Sequence, residues 1–219
     1  MNAPLRSPFA HIARQMVEEG FATLRSRLIA AAPDLPLVPR RGDYDLNPDI
    51  QRPGASSLRP AAVLVPLIRR SPPTVLFTKR TEHLARHAGQ VSFPGGRVQC
   101  DDASLADTAL RETQEETGID TAFVTVIGYL DPYETGTGFA ILPVIGVVRE
   151  GFELAPSPQE VAEIFEVPLS FLFDPANCSR RSGEWQGHRR EFYAFNFDGH
   201  YIWGATAAIV VHLRDRLVT

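Results

Sequence analysis

The feature that most constrains this chain is a Gly-Gly pair followed by a helical segment that ends in a cluster of acids. The pair occupies residues 95–96, and residues 111–118 read RETQEETG. Because an α-helix turns once every 3.6 residues, the side chains of Glu112, Glu115 and Glu116 share one helical face. Three carboxylates this close repel one another unless a cation neutralises them. The spacing therefore predicts a site for a hard divalent ion such as Mg²⁺.

The boundaries of this helix follow from its flanking residues. Ser104 and Asp107 form a capping box with Asp in place of Glu, which predicts that the helix begins near Ser104. Gly118 follows the last charged turn, as is typical of the residue beyond a helix C-terminus. Arg111 and Glu115 are four residues apart, a spacing that allows an ion pair. A solvated helix face is the alternative interpretation, but the preceding glycines, where backbone can approach a phosphate, favour a metal site.

The composition is that of one globular enzyme domain. The chain has 219 residues, of which 44% are hydrophobic and 22% are charged. A net charge of −4 argues against nonspecific binding of nucleic acid. Two cysteines, Cys100 and Cys178, are too few for a disulfide framework. The sequence has no apolar stretch of membrane-spanning length and no secretory pattern at its N-terminus, so we expect a cytoplasmic protein that does not act at a membrane.

The first 59 residues are expected to form an extension ahead of the catalytic body. Residues 8–31 carry apolar side chains at roughly helical spacing, which predicts an amphipathic helix. Such a helix would pack on the body or on a partner subunit, which leaves a homodimer open. Residues 32–60 contain many Pro, Gly, Asp and Arg residues and read as an extended connector. We therefore divide the chain into a helix with connector, 1–59, and a catalytic domain, 60–219.

From residue 61 onward, short β-rich runs alternate with helical segments. Strands are expected at 61–68, 74–78, 123–130, 140–148 and 161–167, and in a late hairpin over 189–203 that turns at Asp198-Gly199. A short helix is expected at 168–173 and a closing helix at 205–217. This order predicts an α/β fold with a mixed β-sheet between helices. Phe93 and Trp203 are expected in the core, because large aromatic side chains mostly pack.

In its acidic segment the chain resembles the Nudix hydrolases, whose box reads Gly-x5-Glu-x7-Arg-Glu-(apolar)-x-Glu-Glu-x-Gly-(apolar). The second half of the box matches from Arg111 to Ile119, with Thr113 in the apolar position. In the first half, Gly96 lies one residue too far from Arg111, and Asp102 is the nearest acid. The coenzyme A pyrophosphatases, a Nudix subgroup, share this longer spacing.

That subgroup has a second, upstream signature, Leu-Leu-Thr-x-Arg-(Ser/Ala)-x3-Arg-x3-Gly-x3-Phe-Pro-Gly-Gly. Ala85 stands where the signature has its second Arg, and Arg86 follows one place later. The resemblance covers about residues 60–215. The positions that match in register are Leu76, Thr78, Arg80, Gly89, Phe93, Pro94, Gly95 and Gly96.

The resemblance implies an α/β/α sandwich, here with an N-terminal helical extension. It also implies cleavage of coenzyme A or acyl-coenzyme A at the pyrophosphate, giving 4′-phosphopantetheine or its acyl form and adenosine 3′,5′-bisphosphate. The expected cofactor is Mg²⁺ or Mn²⁺, and its expected ligands are Glu112, Glu115, Glu116 and the Gly96 carbonyl. The expected catalytic residues are Glu115, Glu116 and Arg111. The expected substrate-binding residues are Arg80, Arg86, Gly95 and Gly96.

Several alternatives stay open at this point. The general base is Glu115 or Glu116 on the helix, or Glu160 or Glu163 further along the chain. Ala85 leaves room for another nucleoside diphosphate derivative, such as ADP-ribose or NADH, as the substrate. A Nudix-fold ligand sensor without turnover is a third interpretation, which the complete set of glutamates disfavours.

Overall fold

The computed structural model describes residues 15, 19, 21–50, 52, 57–83, 87–185 and 187–218. Much of the predicted N-terminal helix lies outside these residues, and the described part is helix α1, Ala22–Arg27. The expected helix end at residue 31 is wrong. Leu28 has an extended backbone, and Ile29 forms an isolated antiparallel bridge with Tyr129, so the chain leaves the helix to reach the sheet.

The rest of the described chain contains two sheets and three further α-helices. The nine strands of the main sheet are β1 (Arg41–Gly42), β2 (Arg59–Ile68), β3 (Thr74–Arg80), β4 (Val91–Ser92), β5 (Gly95–Arg97), β6 (Val124–Tyr129), β7 (Tyr133–Glu134), β8 (Phe139–Val148) and β9 (Val161–Pro168). The three strands of the second sheet are β10 (Ser179–Trp185), β11 (His188–Phe197) and β12 (His200–Trp203). The helices are α2 (Leu105–Thr117), α3 (Leu169–Phe173) and α4 (Gly204–Val218). Within the ranges given above, no helix is long and apolar enough to span a bilayer.

Strand β2 organises the main sheet. It pairs in parallel with β8 along its whole length, and antiparallel with β3 and β5. Strand β9 extends the sheet beyond β3. The mixed sheet predicted from the alternation of β-rich and helical runs is confirmed, as are the hairpin at Asp198-Gly199 and the closing helix. The sequence does not predict strand β10, because its residues show no alternation of apolar and polar side chains. In the structure this strand is largely exposed.

Alternate residues of β2 point to opposite faces of the sheet and contribute to separate hydrophobic clusters on the two faces. Ala62 and Leu64 pack in the cluster that contains Leu105 and Ala109 of α2. On the other face, Val65 lies in the larger cluster with apolar residues of α4. Burying each large aliphatic side chain contributes roughly 1.5–3 kcal/mol to folding. The result is the expected α/β/α sandwich, with α2 and α4 on opposite sides of the sheet.

The described part of the extension packs into this body. Phe21, Leu24 and Leu28 belong to the same core as α4, and Leu37 belongs to the core beneath α2. Strand β1 pairs in parallel with β7. The division at residue 59 stays a prediction, and residues 21–47 share their apolar contacts with the catalytic domain.

Candidate active site

Helix α2 presents the three glutamates, and local signals set its ends. The Ser104 hydroxyl accepts a hydrogen bond from the Asp107 backbone N–H at 3.2 Å, so the predicted N-terminus is confirmed. Gly118 ends the helix in a left-handed conformation, with φ of 78°, and donates its N–H to the Gln114 carbonyl. Glycine adopts this conformation without steric cost, which explains the stop.

A glycine bend brings backbone up against the acidic face of α2. Gly95 has φ of 156°, and a Cβ there would lie 2.6 Å from the Cα of Val63 on β2. A Cβ at Gly96 would overlap the carboxyl group of Glu112. Only glycines allow the chain to run this close to both the sheet and the helix. The bend and the glutamates, predicted to share a site, are therefore neighbours.

The three glutamates differ in their exposure. Glu116 is 3% exposed, and its Oε2 has no hydrogen-bond partner among the described residues. The Glu112 side chain is 15% exposed, and that of Glu115 is 58% exposed. Glu116 therefore lies at the back of the cluster, whereas Glu115 reaches solvent.

Two of these carboxylates are buried without enough positive charge nearby to offset their loss of solvation. Desolvation raises the pKa of Glu116 to about 8. Arg80, whose Nη1 lies 3.9 Å from Glu116 Oε1, and the N–H of Gly95 act in the opposite direction but do not compensate. Desolvation also raises the pKa of Glu112, against the hydrogen bond from Arg111. A cation beside Glu112 and Glu116 would offset the desolvation cost of both ionised carboxylates.

Arg111 holds the outer two glutamates. Its Nη1 donates to Glu112 Oε1 at 2.8 Å and to Glu115 Oε2 at 3.2 Å, so the predicted pairing of Arg111 with Glu115 is confirmed. Its other face binds Asp102, with Nε to Oδ1 at 2.8 Å and Nη2 to Oδ2 at 3.1 Å. This bidentate bond holds the pKa of Asp102 well below its usual range. Sequence reasoning noted Asp102 only as the acid nearest the box and missed its role as the anchor of Arg111.

The donor set fits a hard divalent ion, although the side chains do not converge as they stand. Among the described residues, no three His, Cys, Asp or Glu side chains are arranged so that they could hold a metal ion. Arg111 occupies Glu112 and Glu115, while Glu116 keeps an unpartnered oxygen. All the candidate donors are oxygens, which Mg²⁺ and Mn²⁺ prefer. The assignment of Glu112, Glu115, Glu116 and the Gly96 carbonyl as ligands stays a prediction.

A cavity of about 810 Å³ adjoins the glycine bend on the α4 face of the sheet. Arg80, Gly95 and Gly96 line it, and Arg86 lies outside the described residues. The assignment of these four residues as substrate contacts stays a prediction. Trp203 also lines the cavity and is 36% exposed, so its expected place in the core is wrong. Phe93 is 3% exposed, which confirms its place in the core. Sequence reasoning missed the walls contributed by β10, β11 and residues 41–47, because they meet the bend only in the tertiary structure.

The two later candidates for the general base lie in different surroundings. Glu160 is exposed, and its charge acts on both Glu112 and Glu116. Glu163 instead contacts His200, with Oε1 at 2.9 Å from Nε2. The electrostatic neighbourhood of the cluster therefore includes Glu160.

Together these features define a class of protein: an α/β/α sandwich in which a carboxylate-bearing helix meets a glycine bend beside a ligand-sized cavity. Comparison with known proteins narrows the class. The family model described as the NUDIX domain matches residues 58–190. An uncharacterized Nudix hydrolase NudL of Yersinia pestis is 39% identical over 159 residues, which span 73% of this chain and 80% of that protein. The protein of the same name from Yersinia pseudotuberculosis has the same identity and coverage.

Among solved structures, a MutT/nudix family protein from Enterococcus faecalis is similar, with a TM-score of 0.47 and 16% identity, over 78% of this chain and 66% of that one. The family match and the NudL relatives show that this chain belongs to the Nudix family. It is a pyrophosphatase that hydrolyses a nucleoside diphosphate derivative, a small-molecule substrate. Enzymes of this family generally use divalent metal ions.

Proposed function

We propose that this enzyme hydrolyses coenzyme A and acyl-coenzyme A at the pyrophosphate, giving 4′-phosphopantetheine or its acyl form and adenosine 3′,5′-bisphosphate. The observation that carries the proposal is the contact between Arg80 and Glu116, 3.9 Å apart. Arg80 belongs to the upstream coenzyme A signature and Glu116 to the Nudix box, so their contact supports the assignment of both signatures to one site. The cytoplasmic location and the homodimer stay predictions.

The proposed substrate lies with its diphosphate at the glycine bend. Arg80 lines the cavity there, and its buried Nε has no hydrogen-bond partner among the described residues. A guanidinium with a free donor suits a phosphate oxygen, which accepts charge-assisted hydrogen bonds. Gly95 and Gly96 line the cavity beside Arg80, so the phosphate would lie next to their backbone.

Glu112, Glu115, Glu116 and the Gly96 carbonyl would hold the divalent ion, which when bound neutralises the diphosphate and lowers the pKa of water. Arg111 positions two of these side chains, because one guanidinium nitrogen contacts both Glu112 and Glu115. Glu115 is the most exposed of the three, and Arg111 is its ion-pair partner. We propose Glu115 or Glu116 as the group that takes the proton from the attacking water. Phosphoryl transfer depends mainly on such positioning and charge stabilisation.

A substrate panel tests the proposal. Turnover of coenzyme A, acetyl-coenzyme A, ADP-ribose and NADH should be measured with Mg²⁺ and with Mn²⁺, with products identified by mass spectrometry. We expect the highest kcat/KM for coenzyme A or its acetyl thioester, and no turnover in EDTA. A preference for ADP-ribose or NADH would overturn the coenzyme A assignment while leaving the reaction class.

The variant Glu115→Gln tests the carboxylates. Because this side chain is exposed, the variant should fold normally and lose turnover by about 100-fold or more, the range for removal of a general base. Glu153→Gln, at an exposed position that does not line the cavity, is the matched control and should retain wild-type activity. Near-normal turnover in Glu115→Gln would remove Glu115 from the chemistry.

A further inference from the structure

Another of the arginines that line the cavity belongs to a wall outside both signatures. Arg190 lies on β11, and its guanidinium fills the space beside Gly136, where a Cβ would overlap it. Tyr44 of the extension and Trp185 of β10 flank it, with ring centroids 6.0 Å and 4.2 Å from its Cζ. Strands β10 and β11, the N-terminal extension and the loop after β7 thus combine to hold the Arg190 guanidinium at the cavity wall.

The charge of Arg190 has no bonded acid among the described residues. Its Nε is buried without a hydrogen-bond partner. The acid whose charge interacts with it, Asp43, is already engaged: Oδ1 accepts from the Tyr133 hydroxyl and Oδ2 from the Gly136 N–H, both at 2.7 Å. Arg190 and Arg80 are the two cavity-lining arginines in the described chain with a buried nitrogen left unpartnered. An unpaired buried donor is costly, so a ligand that satisfies it gains correspondingly.

Stacking also orients the donors of Arg190. An arginine that lies over an aromatic ring uses its flat face for that contact and keeps the N–H groups at its edge. Those edge donors match the oxygens of a phosphate group in a bidentate manner. The geometry therefore suits an anion presented from within the cavity, separate from the diphosphate at the glycine bend.

We propose that Arg190 binds an ionised phosphate monoester at the ribose 3′-hydroxyl of the substrate and selects for substrates that carry one. This inference rests on the proposed function, because coenzyme A carries such a group on its ribose, as its product adenosine 3′,5′-bisphosphate shows. ADP-ribose and NADH have no phosphate monoester. Arg190 would thus distinguish the two substrate classes that the signatures leave open.

The test uses product binding, which does not depend on turnover. Adenosine 3′,5′-bisphosphate and adenosine 5′-monophosphate should be titrated calorimetrically into the full chain. The proteins are the wild type, Arg190→Gln, Arg190→Lys and the control Arg189→Gln. Arg189 is the adjacent exposed residue and does not line the cavity. We expect the wild type to prefer the bisphosphate roughly 10- to 100-fold, the range of a charge-assisted hydrogen bond.

Arg190→Gln should abolish that preference and leave binding of the monophosphate unchanged, Arg190→Lys should keep part of it, and Arg189→Gln should keep all of it. Equal weakening of both nucleotides by Arg190→Gln, or an unchanged preference, would overturn the inference and leave Arg190 a packing partner of Trp185. A wild type that prefers the bisphosphate but does not cleave coenzyme A would sink the proposed function and keep this inference. If the wild type cleaves coenzyme A but does not prefer the bisphosphate, the proposed function stands and this inference fails.

Discussion

Replacing Glu116 by Gln should remove a large part of the stability that the metal-free enzyme loses as the pH rises. The Glu116 carboxyl is 3% exposed, and burial raises its pKa from 4.5 to about 8. Below about pH 4.5 the group is protonated in both the folded and the unfolded chain and contributes no pH dependence. Between these two values the unfolded chain ionises while the folded chain keeps the proton. Unfolding then releases a proton, so the free energy of unfolding falls as the pH rises.

The size of this effect follows from the pKa difference. One pKa unit corresponds to about 1.36 kcal/mol, so the wild type should lose about 3 kcal/mol relative to Glu116→Gln between pH 5 and pH 8. The pKa of Glu112 is raised as well, and because the charges of Glu112 and Glu116 repel each other, the difference between the two proteins includes the relief of that repulsion. That loss is a substantial part of the 5–15 kcal/mol typical of a whole domain.

Urea unfolding in EDTA at pH 5, 6, 7 and 8, followed by tryptophan fluorescence, measures the effect. The control is Glu153→Gln, at an exposed position outside the acidic cluster, which should show the same loss of stability with pH as the wild type. Mg²⁺ that binds only the folded state should then restore the wild type at pH 8 more than it restores Glu116→Gln. Parallel pH profiles for the wild type and Glu116→Gln would refute the reasoning that burial makes this carboxylate costly.

Two further variants test how the site and the extension are supported. Asp102→Asn should lower kcat/KM by about 10- to 100-fold, as loss of a side chain that orients metal ligands does, because Arg111 loses its bidentate anchor. The exposed neighbour Asp101→Asn should have wild-type kinetics, and equal kinetics in both variants would exclude the anchoring role. Leu24→Ala should reduce the stability of the whole domain by about 2–5 kcal/mol in a single unfolding transition, because Leu24 is fully buried in the core with α4. An unchanged urea midpoint, or the same loss in the exposed control Arg25→Ala, would mean that the extension is not part of that core.

Local signals account for the features that were correctly predicted. The ends of α2 depend on Ser104 and Gly118, which act through hydrogen bonds and dihedral preferences within a few residues. The hairpin turning at Asp198-Gly199 and the pairing of Arg111 with Glu115 are likewise short-range. Interactions of this range are encoded in adjacent residues and can be read in order along the chain.

Features that depend on distant segments were missed or misplaced. The end of α1 is set by the bridge between Ile29 and Tyr129, and the exposure of Trp203 is set by the cavity beside it. The setting of Arg190 requires Tyr44, Gly136 and Trp185 to come together from three elements. No spacing in the sequence signals such a meeting.

The sequence by itself determined the acidic stripe of α2, the glycine bend before it and the mixed order of strands and helices. It did so because periodicity, capping and turn chemistry act over one or two turns of chain. Only the tertiary structure decided that Glu116 is buried while Glu115 is exposed, and that an arginine of β11 faces the same cavity as Arg80. Burial and electrostatic environment arise from how separate elements pack, and they set the charge of each group.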